Sequence, residues 1–392
     1  MIKVAFFAEM MIEDFDGASR TMFQLINRID STKFEFLFIY GNGPEQIDNH
    51  LSLRIPYFHI PFNRNYTMAV PAIAKKMLKQ QLKEFDPDVI HIATPSMLGN
   101  FALKYAEKNN IPTLTIYHTH FISYIDYYLK NTPFLIKPTK KEFIKQTVRF
   151  YNKCTKVYVP SVSISKELKH LGIQPDKLTL WQRGIDTKLF SPEKKDNNYL
   201  RKVTKNKKQN ILFASRLEWE KNLVTLIDIY HKCKERGIEC NFIIAGDGTA
   251  KSACMEQMPD AFFLGKLSHK ELAICYASST LFLFPSITET YGNVVIEAMA
   301  SGLPCIISND GGSADFIIDG DNGFKCNAEQ AEDYVDKIEL MLSDKNLRKK
   351  FKKAGLKYSK QHNWQHLSEI YFRDISDFAD MTISSQTAYQ FA

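Results

Sequence analysis

The alternation of short apolar runs with helix-patterned stretches is the feature that most restricts how this 392-residue chain can fold. The first runs are followed by stretches with apolar residues at helical spacing, as at 17–29. The predicted strands are 4–8, 34–40, 88–93, 113–118, 156–160, 211–215, 241–246, 261–265, 281–285 and 304–308. Apolar strands that alternate with helices form parallel sheets covered by helices on both faces. We therefore predict an α/β fold.

The length of the chain exceeds what one ordinary core accommodates, so two domains are expected. Apolar periodicity is lost over 185–200, and a charged stretch then precedes the strand at 211–215. We predict a first doubly wound domain over 1–188 and a second over 189–364. The amphipathic tail is expected to pack back on the first domain as a helix over about 365–392. In doubly wound folds the ligand lies at the carboxyl ends of the strands.

Composition excludes some classes of protein and leaves several partners open. The sequence contains no run of about 18 apolar residues that would span a bilayer. Its seven cysteines are scattered without a C-x-x-C pair, which is typical of reduced thiols in a cytoplasmic protein. The net charge of +7 suits nucleic acid, an anionic membrane face or phosphorylated ligands, and equally a mildly basic surface without a partner.

Two glutamates, Glu289 and Glu297, flank the predicted start of a helix at Gly292 and Asn293. The backbone N–H groups of Gly292, Asn293 and Val294 would then form an anion site, for phosphate above all. A carboxylate on each side suits a ligand with negative charge in its middle and hydroxyl groups at both ends, as in a nucleotide sugar. The alternative is a pair of acids favoured by the helix dipole alone.

Arg216 and Lys221 follow the strand at 211–215, where they are suited to hold a diphosphate. The alternative is ordinary surface charge. The turn Gly246-Asp247-Gly248 ends the next strand, and glycine there allows a ligand close to the backbone. A turn without a ligand explains the same residues.

In the first half, Gly17 follows the first strand at the phosphate-approach position of a doubly wound fold. The full G-x-G-x-x-G fingerprint is absent, which argues against a nicotinamide enzyme. His118 and His120 end another strand without a third ligand at matching spacing, so no metal site is predicted. A hydrogen bond from His118 to a substrate hydroxyl and a packed structural histidine both remain open.

Segment 134–153 is basic with interleaved apolar residues, which predicts an amphipathic helix. Such a helix can lie on an anionic membrane surface. An ordinary solvated helix face is the alternative. The cations that would contact the membrane or the acceptor are Lys137, Lys140, Lys141, Lys145 and Arg149.

Nearly the whole chain resembles the retaining GT-B glycosyltransferases of family 4. The resemblance is carried by E-x7-E inside "ETYGNVVIEAMASGLPCI", and by "SRLEWEKN", "IIAGDGTA", "NDGGSADFIIDGDNGF" and "VPSVSISKELKHLGI". Two further blocks, "HIATPSMLGNFALKYAEKNNIPTLTIYHTHF" and "LWQRGIDTKLFSP", are similar to a subgroup of lipid mannosyltransferases and sulfolipid synthases. The resemblance implies two Rossmann-like domains facing across a cleft, with the acceptor on the first and the donor on the second.

Roles for individual residues follow from the resemblance. Arg216 and Lys221 would bind the donor diphosphate, Glu289 the donor sugar and Glu297 the ribose. The backbone at Gly292, Asn293 and Val294 would support sugar and phosphate, with the turn at Gly246, Asp247 and Gly248 also lining the donor site. His118 would meet the sugar from the first domain, Gly17 would approach the phosphate, and Arg183 would face the cleft. The implied catalytic set is His118, Glu289, Arg216 and Lys221. Many relatives carry a double glycine where this chain has Asp16-Gly17-Ala18.

The sequence thus predicts a hexosyltransferase of the EC 2.4 class that works without a metal or other cofactor. A GDP- or UDP-hexose would donate its sugar, with retention, to a hydroxyl group of a membrane lipid or lipid-linked glycan. Alternatives are a soluble sugar or polysaccharide acceptor, a GT-B sugar-nucleotide epimerase, or a non-catalytic binding protein. No nucleic-acid partner is expected, and the predicted location is cytoplasmic, including the inner face of the membrane.

Overall fold

The computed structural model of the chain describes residues 1–13, 15–60, 63–118, 132, 134, 136–289 and 291–390. The chain divides into two compact units. Unit 1 consists of Met1–Pro160, Ser165–Trp181 and Gln365–Ala392, and unit 2 of Ser161–Ile164 and Gln182–Trp364. The chain therefore enters unit 2 at Gln182 and returns to unit 1 at Gln365, whereas the predicted domains met at 188/189 and 364/365.

Unit 1 is built on a seven-stranded parallel sheet in the order β3-β2-β1-β6-β7-β8-β9, with a separate antiparallel hairpin of β4 and β5. The strand order reverses between β1 and β6, which makes that pair the switch point of the sheet. The strands are β1 Ile2–Met10, β2 Phe34–Asn42, β3 Leu51–Arg54, β4 Tyr57–Ile60, β5 Asn63–Ala69, β6 Val89–Ile92, β7 Thr113–Ile116, β8 Lys156–Val159 and β9 Leu178–Leu180.

The helices of the first half follow the predicted pattern, and polar side chains fix where two of them begin. Asp16 Oδ1 accepts from Ser19 N (2.8 Å) at the first helix, and Ser96 Oγ accepts from Gly99 N (3.0 Å) at the third. Such caps satisfy backbone donors that have no partner inside a helix. The helices are α1 Gly17–Ile26, α2 Lys75–Phe85, α3 Met97–Asn109, α4 Ile136–Lys153 and α5 Val162–Leu171.

Unit 2 contains a six-stranded parallel sheet in the order β12-β11-β10-β13-β14-β15, whose switch point lies between β10 and β13. Its strands are β10 Gln209–Ala214, β11 Cys240–Ala245, β12 Phe262–Gly265, β13 Leu281–Phe284, β14 Cys305–Ser308 and β15 Gly323–Cys326. Its helices are α6 Tyr199–Thr204, α7 Leu223–Glu235, α8 Lys251–Gln257, α9 His269–Ser278, α10 Asn293–Ala300, α11 Ala331–Ser343 and α12 Lys345–Lys360. The predicted pair of doubly wound α/β folds is confirmed.

The last helix, α13 (Trp364–Gln390), packs back on the first unit as predicted. The indole of Trp181 donates to Leu367 O (3.0 Å), and Asp374 pairs with Lys156 (2.8 Å). In the core, the hydroxyl of Tyr371 lies 3.0 Å from Nδ1 of His91. These buried polar contacts make the helix part of unit 1.

Five strands were not predicted: β3, β4, β5, β9 and β15. Most of them are exposed or polar; β3 reads LSLR and has no buried residue, and β5 reads NRNYTMA. An apolar run indicates a strand only where both faces of the sheet are covered. Edge strands and hairpins are therefore not detected by a search for apolar runs.

Candidate functional site

The switch point of unit 2 brings together the segments that follow β10 and β13. These strands are neighbours with parallel pairing, Ile211 opposite Leu281 and Leu212 opposite Phe282. Their carboxyl ends therefore meet at one edge of the sheet. Lys221 ends a 3-10 turn after β10, and Glu289 lies in the loop after β13.

Lys221 and Glu289 form an ion pair with little access to solvent. Lys221 Nζ lies 2.6 Å from Glu289 Oε1, and the two side chains are 4% and 23% exposed. The ammonium group also donates to Thr288 Oγ1 (3.3 Å), whose hydroxyl donates in turn to Glu220 O (3.1 Å). A lysine has three N–H donors. Two are used by these contacts, and the third has no partner among the residues that the structure describes.

The electrostatic surroundings of Glu289 favour its ionised form. Burial on its own would raise the pKa of this carboxyl. The ammonium of Lys221, and then the charges of Arg216 and Arg183, outweigh burial and hold the pKa below its ordinary value. Glu289 is therefore a carboxylate at neutral pH, able to accept hydrogen bonds from hydroxyl groups.

Two arginines, Arg216 and Arg183, belong to the same unit and act on that carboxylate. Arg216 is largely exposed and pairs with Glu220 Oε1 at 3.3 Å. Arg183 is buried, and its guanidinium carbon lies 5.8 Å from the ring centroid of Tyr291, whose hydroxyl donates to Arg183 O (2.6 Å). Both predicted cations thus contribute to the field at Glu289.

The start of α10 is held by contact between two loops. Gly292 has φ +78°, and a Cβ there would lie 2.5 Å from the Cβ of Ser313. Gly312 N donates to Glu289 O (2.7 Å), which ties the second loop to the first. Only glycine fits at 292 without strain and collision. The predicted helix start at Gly292, Asn293 and Val294 is confirmed, while their contact with a ligand stays a prediction.

Ser313 and Ser286 were not predicted from the sequence. Both are fully buried, and their hydroxyl oxygens have no hydrogen-bond partner among the residues that the structure describes. Buried polar groups normally have a partner, from protein, water or ligand. Ser313 lies in the quoted block "NDGGSADF", but a serine in a glycine-rich loop carries no sequence signal of its own.

Glu297 is buried within α10. The hydroxyl of Tyr276, on α9, donates to Glu297 Oε2 at 3.4 Å. This contact accounts for part of the hydrogen bonding of a carboxylate that is 4% exposed. The ribose contact of Glu297 stays a prediction.

The turn Gly246-Asp247-Gly248 packs on the segment that carries Arg216. A Cβ on Gly246 would lie 1.8 Å from Ser215 O, and one on Gly248 would lie 2.4 Å from Leu217 O. These backbone approaches are sufficient reason for both glycines. Asp247 is exposed and pairs with Lys251 (2.9 Å); that hydrogen bond, with one from Gly248 N, lowers the pKa of Asp247. A donor contact at this turn stays a prediction.

In unit 1, the predicted residues lie at or just past the ends of strands. Gly17 is the first residue of α1, and the preceding Asp16 caps that helix, which gives a structural role to the departure from a double glycine. His118 is buried two residues beyond β7. His120 lies outside the described residues.

Glu9, at the switch point of unit 1, was not predicted from the sequence as a site residue. Ala69 N donates to Glu9 Oε2, and Oε1 is also buried. Burial raises the pKa of Glu9, although donors from Ala69, Ser96 and Leu98 offset part of the effect. An acidic residue at the end of an otherwise apolar strand is the signal that could have identified it.

The predicted basic helix is present as α4, and Phe150 and Tyr151 on it are buried. Lys137, Lys141, Lys145 and Arg149 are exposed, and Lys140 is half-buried. Membrane contact by these cations stays a prediction. Within the described parts of both units, no group of three or more His, Cys, Asp or Glu side chains is placed to hold a metal ion. In the same residues, no helix is long and apolar enough to cross a bilayer.

Two family profiles match the chain. Residues 15–189 match the family described as "Glycosyltransferase Family 4", and residues 195–358 match "Glycosyl transferases group 1". Together they cover most of the sequence.

Individual relatives agree with the profiles. The chain is 30% identical to a GDP-mannose-dependent alpha-mannosyltransferase of Corynebacterium glutamicum, over 82% of this chain and 76% of the relative. It is also 30% identical to a sulfoquinovosyl transferase of Arabidopsis thaliana, over 79% of this chain and 60% of the relative. An alpha-monoglucosyldiacylglycerol synthase of Acholeplasma laidlawii is 24% identical over 84% of this chain and 86% of the relative.

Among solved structures, the chain is similar to the sucrose-phosphate synthase of Thermosynechococcus elongatus. The TM-score is 0.75 at 17% identity, covering 96% of this chain and all of the other. An Anabaena protein crystallised with UDP and glucose gives a TM-score of 0.72 at 17% identity, over 96% of this chain and 100% of that one. These structural likenesses establish the GT-B fold.

Proposed function

The chain belongs to glycosyltransferase family 4 and is a glycosyltransferase, and we propose that it moves a hexose from a nucleoside diphosphate to a hydroxyl group of a membrane lipid. The donor is a GDP- or UDP-hexose. The product keeps the anomeric configuration of the donor. Donor, stereochemistry and acceptor are the parts of this proposal that experiments must test.

The observation that carries the proposal is the buried Lys221–Glu289 pair next to the start of α10. It places a cation, an ionised carboxylate and a helix N-terminus at one sheet edge. A helix N-terminus and an ammonium favour a phosphate, and a carboxylate favours sugar hydroxyl groups. A nucleotide sugar offers both in sequence.

In the proposed reaction, the sugar–phosphate bond breaks and negative charge grows on the departing diphosphate. Lys221 donates its remaining N–H to a diphosphate oxygen, and the exposed fork of Arg216 binds the same group. Because these charges are fixed before reaction, they stabilise the transition state without reorganisation. Glu289 accepts hydrogen bonds from hydroxyl groups of the hexose and orients it.

The acceptor hydroxyl attacks the anomeric carbon from the side of the leaving group. A diphosphate oxygen takes its proton as the new glycosidic bond forms. No dedicated protein base is then needed, and no metal ion enters the reaction. Activity is therefore expected to persist in EDTA.

Two observations support a lipid acceptor. Relatives that cover most of this chain are named as a sulfoquinovosyl transferase and an alpha-monoglucosyldiacylglycerol synthase. The exposed cations of α4 match the negative charge of an anionic membrane face. A soluble sugar or polysaccharide acceptor is the alternative hypothesis, which the experiment must distinguish from a lipid acceptor.

The donor is identified first, by thermal shift with GDP-, UDP- and ADP-hexoses. A ligand at 100 times its Kd stabilises the folded state by about 2.7 kcal/mol, so the preferred nucleotide raises Tm above the others. Lys221→Ala should lose this shift, whereas the control Lys232→Ala, which breaks an exposed ion pair with Glu332, should keep it. Equal shifts in both variants would contradict the site.

The acceptor and stereochemistry are then determined with the selected donor. Diacylglycerol in vesicles and a panel of soluble sugars are offered separately, and the product is characterised by NMR. A lipid product with the anomeric configuration of the donor supports the proposal. Transfer to soluble sugars alone contradicts the lipid acceptor, and free nucleotide with an epimerised hexose and no transfer product contradicts the transferase reaction.

A further inference from the structure

One helix of unit 2 has a larger positive charge than the net charge of the whole chain. The whole chain has a net charge of +7. Helix α12 contains seven lysines, one arginine and no acidic residue, a charge of +8. All other residues together therefore have a net charge of −1, so α12 is a main source of the basic character of the protein.

Most of these charges are not neutralised by neighbouring residues. Lys350 has an acidic neighbour, Asp321 at 3.9 Å, and Arg348 donates to backbone oxygens of Met341 and Leu342. In the described part of the chain, no carboxylate lies within ion-pair distance of the remaining six, all of them exposed: Lys345, Lys349, Lys352, Lys353, Lys357 and Lys360.

Other cations on the surface of the same unit behave differently. Lys232, Lys234 and Arg236, at the end of α7, are paired with acids such as Glu332 and Asp260. The unit thus neutralises its basic residues at one place and leaves six without acids at another. Uncompensated like charges repel one another, which favours a partner that supplies negative charge.

The arrangement of the six lysines indicates the shape of that partner. At about 100° per residue, they fall within about 140° of the helix circumference, on one face. From Lys345 to Lys360 the helix rises about 22 Å. This length exceeds a single phosphate or nucleotide and suits an extended array of anions.

We propose that the lysine face of α12 binds the anionic headgroups of a lipid bilayer, as a membrane contact in unit 2 separate from α4. The inference extends the proposed function, because an enzyme with a lipid acceptor works at such a surface. Lysine ammonium groups attract phosphate as point charges and need no fixed geometry. They therefore suit a fluid layer of headgroups.

The same face lacks the features with which proteins bind nucleic acid. Single strands are bound by aromatic rings on which bases stack. The aromatic residues of α12 point elsewhere, since Phe351 is buried and Tyr358 stacks on His362 with centroids 4.6 Å apart. Arginine, which reads guanine in duplex DNA, is also missing from this face.

The contact is electrostatic and does not involve insertion into the bilayer. Leu356 is the apolar residue among the lysines, and it is half-buried in the protein. Binding should therefore depend on anionic lipid and weaken as salt screens the charges.

The test is sedimentation of the full chain with vesicles of phosphatidylcholine alone or mixed with phosphatidylglycerol. The variant is Lys349→Gln, Lys353→Gln, Lys357→Gln, and the matched control is Arg201→Gln, Lys202→Gln, Lys207→Gln, three exposed cations at and just after α6. Both variants lose the same charge from unit 2. Glutamine has nearly the helix propensity of lysine, so Tm should not change.

We expect the α12 variant to bind anionic vesicles at least about ten-fold more weakly and the control to change less than about two-fold. The difference should vanish on raising salt from about 0.05 M to about 0.5 M. Unchanged binding of the α12 variant, or an equal loss in the control, overturns the proposal. Loss of binding to an oligonucleotide with vesicle binding intact assigns the face to nucleic acid instead.

This result is independent of the proposed reaction. Transfer to a detergent-dispersed lipid acceptor needs no bilayer, so the α12 variant should keep it. If vesicle binding does not depend on α12 but transfer is intact, the proposed membrane contact is wrong and the proposed transferase reaction stands. If transfer to the lipid acceptor fails but vesicle binding still depends on α12, the proposed acceptor is wrong and the proposed membrane contact stands.

Discussion

The switch points of the two sheets place a glutamate in opposite surroundings. In unit 2, Glu289 lies 2.6 Å from the ammonium of Lys221, and its pKa is below the ordinary value. In unit 1, Glu9 is the last residue but one of β1. The described groups that affect it are backbone and hydroxyl donors without a cation, and burial raises its pKa. At one edge a cation lowers the pKa of the carboxyl group, whereas at the other burial raises it.

The difference follows from which residues come after the strands. The loop after β10 supplies Lys221 to the edge of unit 2, and no equivalent cation reaches Glu9 among the described residues of unit 1. An edge with a cation suits a diphosphate, whereas an edge without one suits alcohols. The comparison therefore agrees with the proposed division into a donor unit and an acceptor unit.

The largest effect is expected from Lys221→Ala. Without this cation, one of the groups that bind the departing diphosphate in the transition state is lost, so kcat should decrease by about 10³-fold. It also leaves a mostly buried carboxylate unpaired, which should lower the free energy of unfolding by about 3 kcal/mol. Steady-state kinetics and urea unfolding measure the two effects.

The double variant Lys221→Ala, Glu289→Gln separates the two effects. Without the carboxylate the stability should return, but the activity should not. Should activity return with stability, the lysine has only a structural role and the charged-edge interpretation is lost.

Gly292→Ala tests whether the shape of the unit 2 edge matters as much as its charge. The new Cβ would collide with Ser313 at 2.5 Å, at φ +78°. Gly320→Ala is the matched control, since Gly320 has φ +72° but nothing within 4 Å of a Cβ. We expect a loss of about 1 kcal/mol for the control, from backbone strain, and about 2 kcal/mol more for Gly292→Ala. If thermal unfolding shows equal losses of stability in the two variants, the loops around Gly292 move to accommodate the new Cβ.

Glu289→Gln should reveal the lowered pKa through the pH dependence of stability. A depressed folded-state pKa stabilises the wild type above the unfolded value of about 4.5, and this stability is lost as pH decreases through the folded pKa. The wild type should therefore be more stable than the variant at pH 7, with the advantage shrinking below pH 4.5. A constant difference between pH 7 and pH 3 would contradict the ionised pair.

Glu9→Gln should give the smallest effect, with the opposite sign. A raised folded-state pKa means that ionising Glu9 costs stability as pH increases from about 4.5 through the folded value. The variant should thus be slightly more stable than the wild type at pH 7, by less than about 1 kcal/mol, and equal to it at pH 4. A loss of stability at pH 7 would show that unit 1 also stabilises its carboxylate.

The fold was predictable where strands are buried on both faces. The apolar runs of β1, β10 and β13 indicate strands, and the parallel pairing of β10 with β13 brings the segments that carry Lys221 and Glu289 to the same edge of the sheet. The hairpin β4–β5 was missed because β5 reads NRNYTMA, which is neither an apolar run nor a regular alternation of apolar and polar residues.

The finer structure of the site was not predictable, because it depends on loops that meet only after folding. Thr288 and Ser313 are ordinary residues in sequence, and their positions result from the contact of the loops after β13 and β14. Likewise, Gly246 and Gly248 look like ligand glycines, although they approach backbone oxygens of Ser215 and Leu217. A sequence shows where a glycine lacks a side chain, but it does not show whether a ligand or the protein's own backbone lies in the space next to it.

The packing of α13 on unit 1 has a consequence for the order in which the protein is made. Trp181, Lys156 and His91 depend on residues of α13, which leave the ribosome after the whole of unit 2. Residues 182–364 emerge earlier, so unit 2 can fold during translation while unit 1 waits with unsatisfied polar groups in its interior. Of these two units, unit 1 is begun before unit 2 and completed after it, so during synthesis unit 1 is exposed to chaperones and proteases for longer.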